Sequence, residues 1–259
     1  MTQTMWLGWV LTRRDLSQRY RGTVLGVLWP FLYAGLMLAL FTFVFSIVLK
    51  VRWSIGADAR PSEGALMIFT GMVPYLFIAE VLTRSATCIT GVPNFVKKVR
   101  FPLPLLPVVV VNSALVITAI NVLILIIAIG VLWREVPVTV LMLPLLFLPL
   151  AAFGLGLAFL FGALGVFFRD LAQVSPLLAQ LAMFLAPVVY PVSAVPPAFA
   201  AVISLNPITW FVNEFRNVLL EGRAFPISDW FVHSFLCVAF ALLSFAFFQR
   251  TRRSFADLL

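Results

Sequence analysis

The sequence points to an all-α membrane protein: six transmembrane helices, an amphipathic N-terminal helix in the membrane interface, and two short re-entrant helices before the last span. Composition is the first reason. Of 259 residues, 63% are hydrophobic and only 11% charged, far from the balance of a soluble domain. The length of the apolar runs is the second, because a bilayer core about 30 Å thick takes about 20 helical residues and lipid cannot satisfy free backbone groups. The third is where the charge lies. The net charge of +8 falls between the apolar runs, the pattern of a multi-pass membrane protein; a basic nucleic-acid surface is the alternative for residues 11–30 alone, and a helix joined directly to a span is confined to the lipid surface.

Within residues 4–20, Trp6, Trp9, Val10, Arg13, Leu16 and Tyr20 recur every three to four positions, which gives one helical face with two tryptophans and a tyrosine. The segment reads as an interface helix with its arginines near lipid phosphates, and Asp15 and Arg19, one turn apart, as a minor pair. The first span is expected at 23–49. Gly22 and Gly26 form a GxxxG at its start, which would admit a neighbouring helix closely. Pro30 predicts a kink there and is a candidate hinge. In the second span, 65–83, Glu80 is the only acidic residue well inside an apolar run. It lies near the end of the run and four residues before Arg84, which favours an ion pair over a proton relay.

Spans three to five are expected at 105–133, 138–166 and 173–191, with Gly154, Gly156, Gly162 and Gly165 thinning one stretch of the fourth for helix packing. Residues 187–228 are cut by Pro187, Pro191, Pro196, Pro197 and Pro207 yet are too apolar for a free loop. Two short helices within 195–220, dipping back into the membrane as a pore mouth or gate, fit this pattern; a structural lid is the plainer alternative. The last span, 229–248, carries the sole histidine, His233, at its outer interface.

Six spans place both termini on one side. That side holds Arg13, Arg14, Arg19, Arg21, Arg84, Lys97, Lys98, Arg100, Arg169, Arg250, Arg252 and Arg253, twelve basic residues. The other holds Lys50, Arg52, Arg60, Arg134, Arg216 and Arg223, offset by Asp58, Glu63, Glu135, Glu214, Glu221 and Asp229. The basic excess marks the cytoplasm, so both termini are expected there. The first twelve residues lack a signal-peptide pattern.

Cys88 and Cys237 make no disulfide framework and no metal site. GxxxxGK[ST], HExxH and GxSxG motifs and an Asp-x-Asp pair are absent from the sequence. No catalytic residue, cofactor or metal ligand is therefore assigned to this chain, and any energy source is expected in another protein. Two other classes stay open. A membrane-embedded enzyme acting on a polyprenyl lipid would need an acid or base cluster, for which only Glu214 and Glu221 offer themselves on the outer side. A secondary transporter would show intramembrane ionisable residues and inverted repeats, which the sequence does not display.

Four stretches, in this order, carry a family resemblance: "RRDLSQRYRGTVLGVLWPFL", "FVKKVRFPLPLLPVVVV", "GALGVFFRDLAQV", and "LAPVVYP" followed by "LNPITWFVNEFR". With them the chain resembles, over nearly its full length, the transmembrane permease subunits of ABC exporters of lipid-linked polysaccharides, the O-antigen, capsule and teichoic-acid export family. The order of the motifs sets this apart from a drug exporter of the wider group. The resemblance implies a homodimer over two ABC ATPase subunits that bind ATP and Mg, in a bacterial inner membrane, with a channel formed largely by the first and fifth spans. It also implies that Ala86 to Phe101 is a coupling and gate segment and Phe168 to Gln173 a second ATPase contact, which gives Asn94, Phe95, Lys97, Lys98, Arg100, Arg169 and Asp170 as contact residues.

A sugar polymer offers hydroxyls and flat C–H faces, so its path should hold aromatic rings without strong charge. The sequence has 26 phenylalanines, and Trp29, Tyr33, Met183, Phe184 and Tyr190 are the expected lining. Arg13, Arg14, Arg19 and Arg21 are candidates to receive the lipid carrier's phosphate, with ordinary positive-inside placement as the alternative.

Overall fold

The structure, a computed structural model, describes residues 2–48, 62–93, 101–192 and 195–258. Among them every regular element is helical. Helix α1 is Thr2–Arg19, and α2 is Trp29–Phe41, continued by a π-helical stretch Thr42–Val48. Helices α3, Glu63–Ser85, and α4, Leu105–Trp133, follow, then α5, Leu143–Phe167, and α6, Leu171–Phe184. Two short helices, α7 (Pro197–Leu205) and α8 (Pro207–Arg216), precede α9 (Ile227–Thr251) and a final turn α10 (Phe255–Leu258).

Four of these are long and apolar enough to cross a membrane: α3, α4, α5 with the turn before it, and α9 with the turn after it. Two shorter apolar helices, Trp29–Phe45 and Leu171–Phe184, stand where the first and fifth spans are expected. The fifth stops at Phe184 instead of 191 because Pro187 and Pro191 follow, and residues before a proline leave the helical region.

Helix α3 is the axis of the bundle, with Phe69, Phe77, Ile78 and Val81 fully enclosed by α4, α5, α6 and α8, while α9 lies along α5. The glycines of α5 work as expected, each against a different partner. A Cβ at Gly154 would stand 2.6 Å from the Phe77 ring, and one at Gly156 would run into the Phe240 ring. Gly162 faces Cys88 and Gly165 the carbonyl of Ala86.

Two expectations at the start of the first span change. Gly22 and Gly26 have φ of +86° and +50°, with none of the described residues within 4 Å of where a Cβ would be. They turn the chain between α1 and α2 through left-handed backbone, a conformation glycine adopts without penalty, and pack no helix among the described residues. Pro30 sits in the first turn of α2, where its missing N–H is not needed. The change of direction therefore falls before the proline.

Candidate functional site

One end of the bundle gathers α1, the end of α3, the start of α4 and the end of α5. Thr12 is buried there and its hydroxyl bonds to the Gly8 carbonyl at 2.9 Å, a bare helix face that packs close to Leu105. Trp6 and Trp9 point the other way, 66% and 64% exposed. Four charges join α1 to α3. Arg84 donates from Nη2 to both carboxylate oxygens of Asp15, at 2.7 and 2.9 Å, and from Nη1 to Glu80 at 3.3 Å. Arg19 donates to the same Glu80 oxygen and lies 3.5 Å from Asp15. Two acids and two bases cancel, so Glu80 and Arg19 are both held inside this cluster. Burial pushes the nearby Tyr20 phenol up, against the opposing pull of the Arg19 charge.

The expected phosphate-binding arginines therefore divide. Arg13, Arg14 and Arg21 are exposed, and Arg14 lines a cavity of about 350 Å³ with Gln18, Thr87, Leu106 and Val109. Arg19 is committed to its carboxylates.

The expected ATPase contacts divide too. Asn94, Phe95, Lys97, Lys98 and Arg100 lie outside the described residues. Arg169 and Asp170 are exposed in the turn between α5 and α6. A cleft of about 340 Å³ joins that turn to the one after α3, lined by Ala86, Thr90, Pro93, Gly165, Arg169 and Ala172. It brings together two stretches about 80 positions apart in sequence. The contact is tight because Gly165 has no side chain; a Cβ would strike the Ala86 carbonyl. Beside it, burial pushes the Cys88 thiol up to about 12.

At the opposite end Asn206 caps α8, accepting from the Ile208 amide at 3.0 Å, and its own amide donates to the Leu185 carbonyl at 3.0 Å. Tyr190 donates to the Phe184 carbonyl at 2.8 Å. Phe184, Tyr190 and Phe199 line an apolar cavity of about 440 Å³. Met183 instead packs against the core. Trp29 and Tyr33, 44% and 51% exposed, lie at the start of α2, whose far end meets Phe69 through Phe41. The structure thus keeps these two rings apart from the cavity at Phe184 and Tyr190.

Arg216 is the residue the sequence hid. It is 5% exposed and donates to three carbonyls: Met67 at 3.1 Å, Pro187 at 2.8 Å and Val188 at 2.7 Å. It fastens α8 to α3 and to the break after α6. Gly71 leaves room for it, since a Cβ there would lie 2.7 Å from Nη2. Counted along the chain it was one more charge of an outer segment. The available signal was its stripe, Thr209, Val212 and Arg216 at helical spacing on one face of a short helix between proline breaks.

A helical bundle with four helices of membrane length and two shorter apolar ones defines a multi-pass membrane protein. The chain belongs to the ABC-2 type transporter family, whose model matches residues 7–220. Among curated proteins it is 26% identical over 252 residues to the O-antigen export system permease protein RfbA of Myxococcus xanthus, covering 95% of this chain and 93% of that protein. It is 24% identical over 261 residues to a protein of the same name from Klebsiella pneumoniae, covering 96% and 93%. A second Klebsiella pneumoniae protein of that name is 25% identical over 215 residues, covering 82% and 80%.

Proposed function

We propose that the chain is the permease subunit of an ATP-driven exporter that carries a lipid-linked polysaccharide, such as O-antigen, from the cytoplasmic to the periplasmic side of the bacterial inner membrane. The observation that carries this is the near-complete coverage of both chains in the likeness to O-antigen export permeases. Two copies of the chain, each of six spans with both termini cytoplasmic, form the channel, and two ATPase subunits supply ATP and Mg. The ATPase docks at the cleft between the turns after α3 and after α5, where residues 86–93 and Arg169 converge. Helices α7 and α8 are the outer gate, held to α3 by Arg216. A push at the cleft reaches the interface helix through Arg84, which stands two residues before Ala86 and bridges to Asp15; coupling over such a distance needs packed elements with two arrangements.

The carrier phosphate is received at the basic end by Arg13, Arg14 and Arg21, while Arg19 serves the fold. Substituting the first three singly lowers export with assembly intact, and substituting Arg19 lowers the amount of folded protein. The central test is to tag the chain, extract it gently from its native membrane, identify what copurifies by mass spectrometry and assay ATP hydrolysis. A stoichiometric ABC ATPase is expected. A chain that purifies alone and inactive refutes the reading.

A further inference from the structure

At the outer end, between α7, α8 and α9, lies a cavity of about 250 Å³; it adjoins the apolar one at Phe184 across Val195 and Ile203 but adds polar groups to its lining. The Trp210 indole and His233 imidazole stack in its wall, 4.3 Å apart and 8° from parallel. His233 Nδ1 is 2.8 Å from the Asp229 carbonyl. A carbonyl only accepts, so Nδ1 carries the proton and Nε2 is left as an acceptor. The Asn213 amide also lines the cavity and has no partner among the described residues, which leaves two donors and an acceptor oxygen. Thr209, another lining residue, is 5% exposed, and neither its hydroxyl nor the Trp210 indole N–H finds a partner there. Buried polar groups in native proteins are ordinarily satisfied.

These groups select a ligand class. No lysine or arginine among the described residues lines the cavity, which disfavours a phosphate. An acyl or prenyl tail would leave the amide and hydroxyl unsatisfied. A sugar ring supplies hydroxyls that both donate and accept, and C–H faces that lie against aromatic rings. The volume admits one such ring and not a folded length of polymer. We infer that this cavity is a binding subsite for one neutral sugar residue of the exported glycan, held by Asn213, His233 and the Trp210 wall at the outer face. The inference rests on the exporter reading for the source of the sugar.

The test uses the whole complex, with its copurified ATPase, in lipid nanodiscs. Saturation-transfer NMR is recorded with the methyl glycosides of glucose, galactose, mannose, rhamnose and N-acetylglucosamine. At least one is expected to bind, to be displaced by the strain's own purified glycan, and to bind at least tenfold more weakly to Asn213→Ala. His233→Phe, which keeps a flat ring on Trp210 and deletes Nε2, is expected to weaken it as well, whereas Phe184→Leu in the neighbouring cavity leaves it unchanged. Absence of binding by every glycoside overturns the inference, as does binding that survives both the Asn213 and His233 substitutions or that the glycan fails to displace. Failure of the exporter reading is seen separately and earlier, as absence of the ATPase from the purified complex.

Discussion

Arg216→Met is the perturbation with the clearest arithmetic. Methionine retains the length and apolar packing of the stem and removes the guanidinium from three carbonyls. Met67 belongs to α3 and keeps a helical partner for its carbonyl. Pro187 and Val188 lie in the buried break after α6, and their carbonyls lose the donors that satisfy them. Each orphaned group costs about 1 to 3 kcal/mol, so the loss centres near about 4 kcal/mol. At about 2 to 4 °C per kcal/mol for a chain of this size, the melting temperature falls by about 8 to 16 °C. The assay is tryptophan-fluorescence melting of the nanodisc-held complex. Arg216→Lys should fall between, because one ammonium cannot reach three divergent acceptors as a planar fork does. Gly71→Ala should show a comparable loss, since its Cβ would occupy the space of Nη2. Melting of Arg216→Met within about 2 °C of the unaltered protein would refute the reasoning.

The Asp15–Arg84 bridge is a second test. The side chains are 25% and 28% exposed, so solvent screens them in part, and a double-mutant cycle of Asp15→Asn and Arg84→Gln should give a coupling of about 1 kcal/mol; strict additivity would count against the cluster. The Cys88 thiol, pushed up to about 12 from 9.0, stays protonated as pH rises through 9, whereas in the unfolded chain it ionises there. Only the thiolate reacts, so in a Cys237→Ala chain maleimide at pH 8 should label the native protein roughly a thousandfold more slowly than the denatured one. Equal rates would show that the thiol is not enclosed by the turn after α3.

What could be read beforehand divides along a physical line. Periodicity and length are local properties, so the α1 helix with its tryptophan face, the long apolar helices and the proline-cut pieces α7 and α8 were all legible. The four glycines of α5 were legible as thin places; their partners, Phe77, Phe240, Cys88 and Ala86, were not, because each comes from a different part of the chain. Glu80 was readable as a partner of Arg84 one turn away. Its second partner, Arg19, is 61 positions distant, and no local pattern reports that. Gly22 and Gly26 misled for a related reason: a spacing of four means a helical face only if the segment is helical, and theirs is a turn. Arg216 was invisible because a charge near a predicted surface looks solvated until the three carbonyls around it are known.

The brevity of α6 bears on the lipid around the protein. Its 14 residues rise about 21 Å, against a hydrocarbon core of about 30 Å. Val174, Leu177, Leu178, Leu181 and Phe184 form an exposed apolar face, while Ala179 and Met183 pack inward. Hydrophobic mismatch of that size is relieved by thinning of the adjacent bilayer or by cover from other protein. The exposed side of α6 therefore calls for a locally shallower lipid layer or for a second protein surface laid against it, a demand that the longer helices do not make.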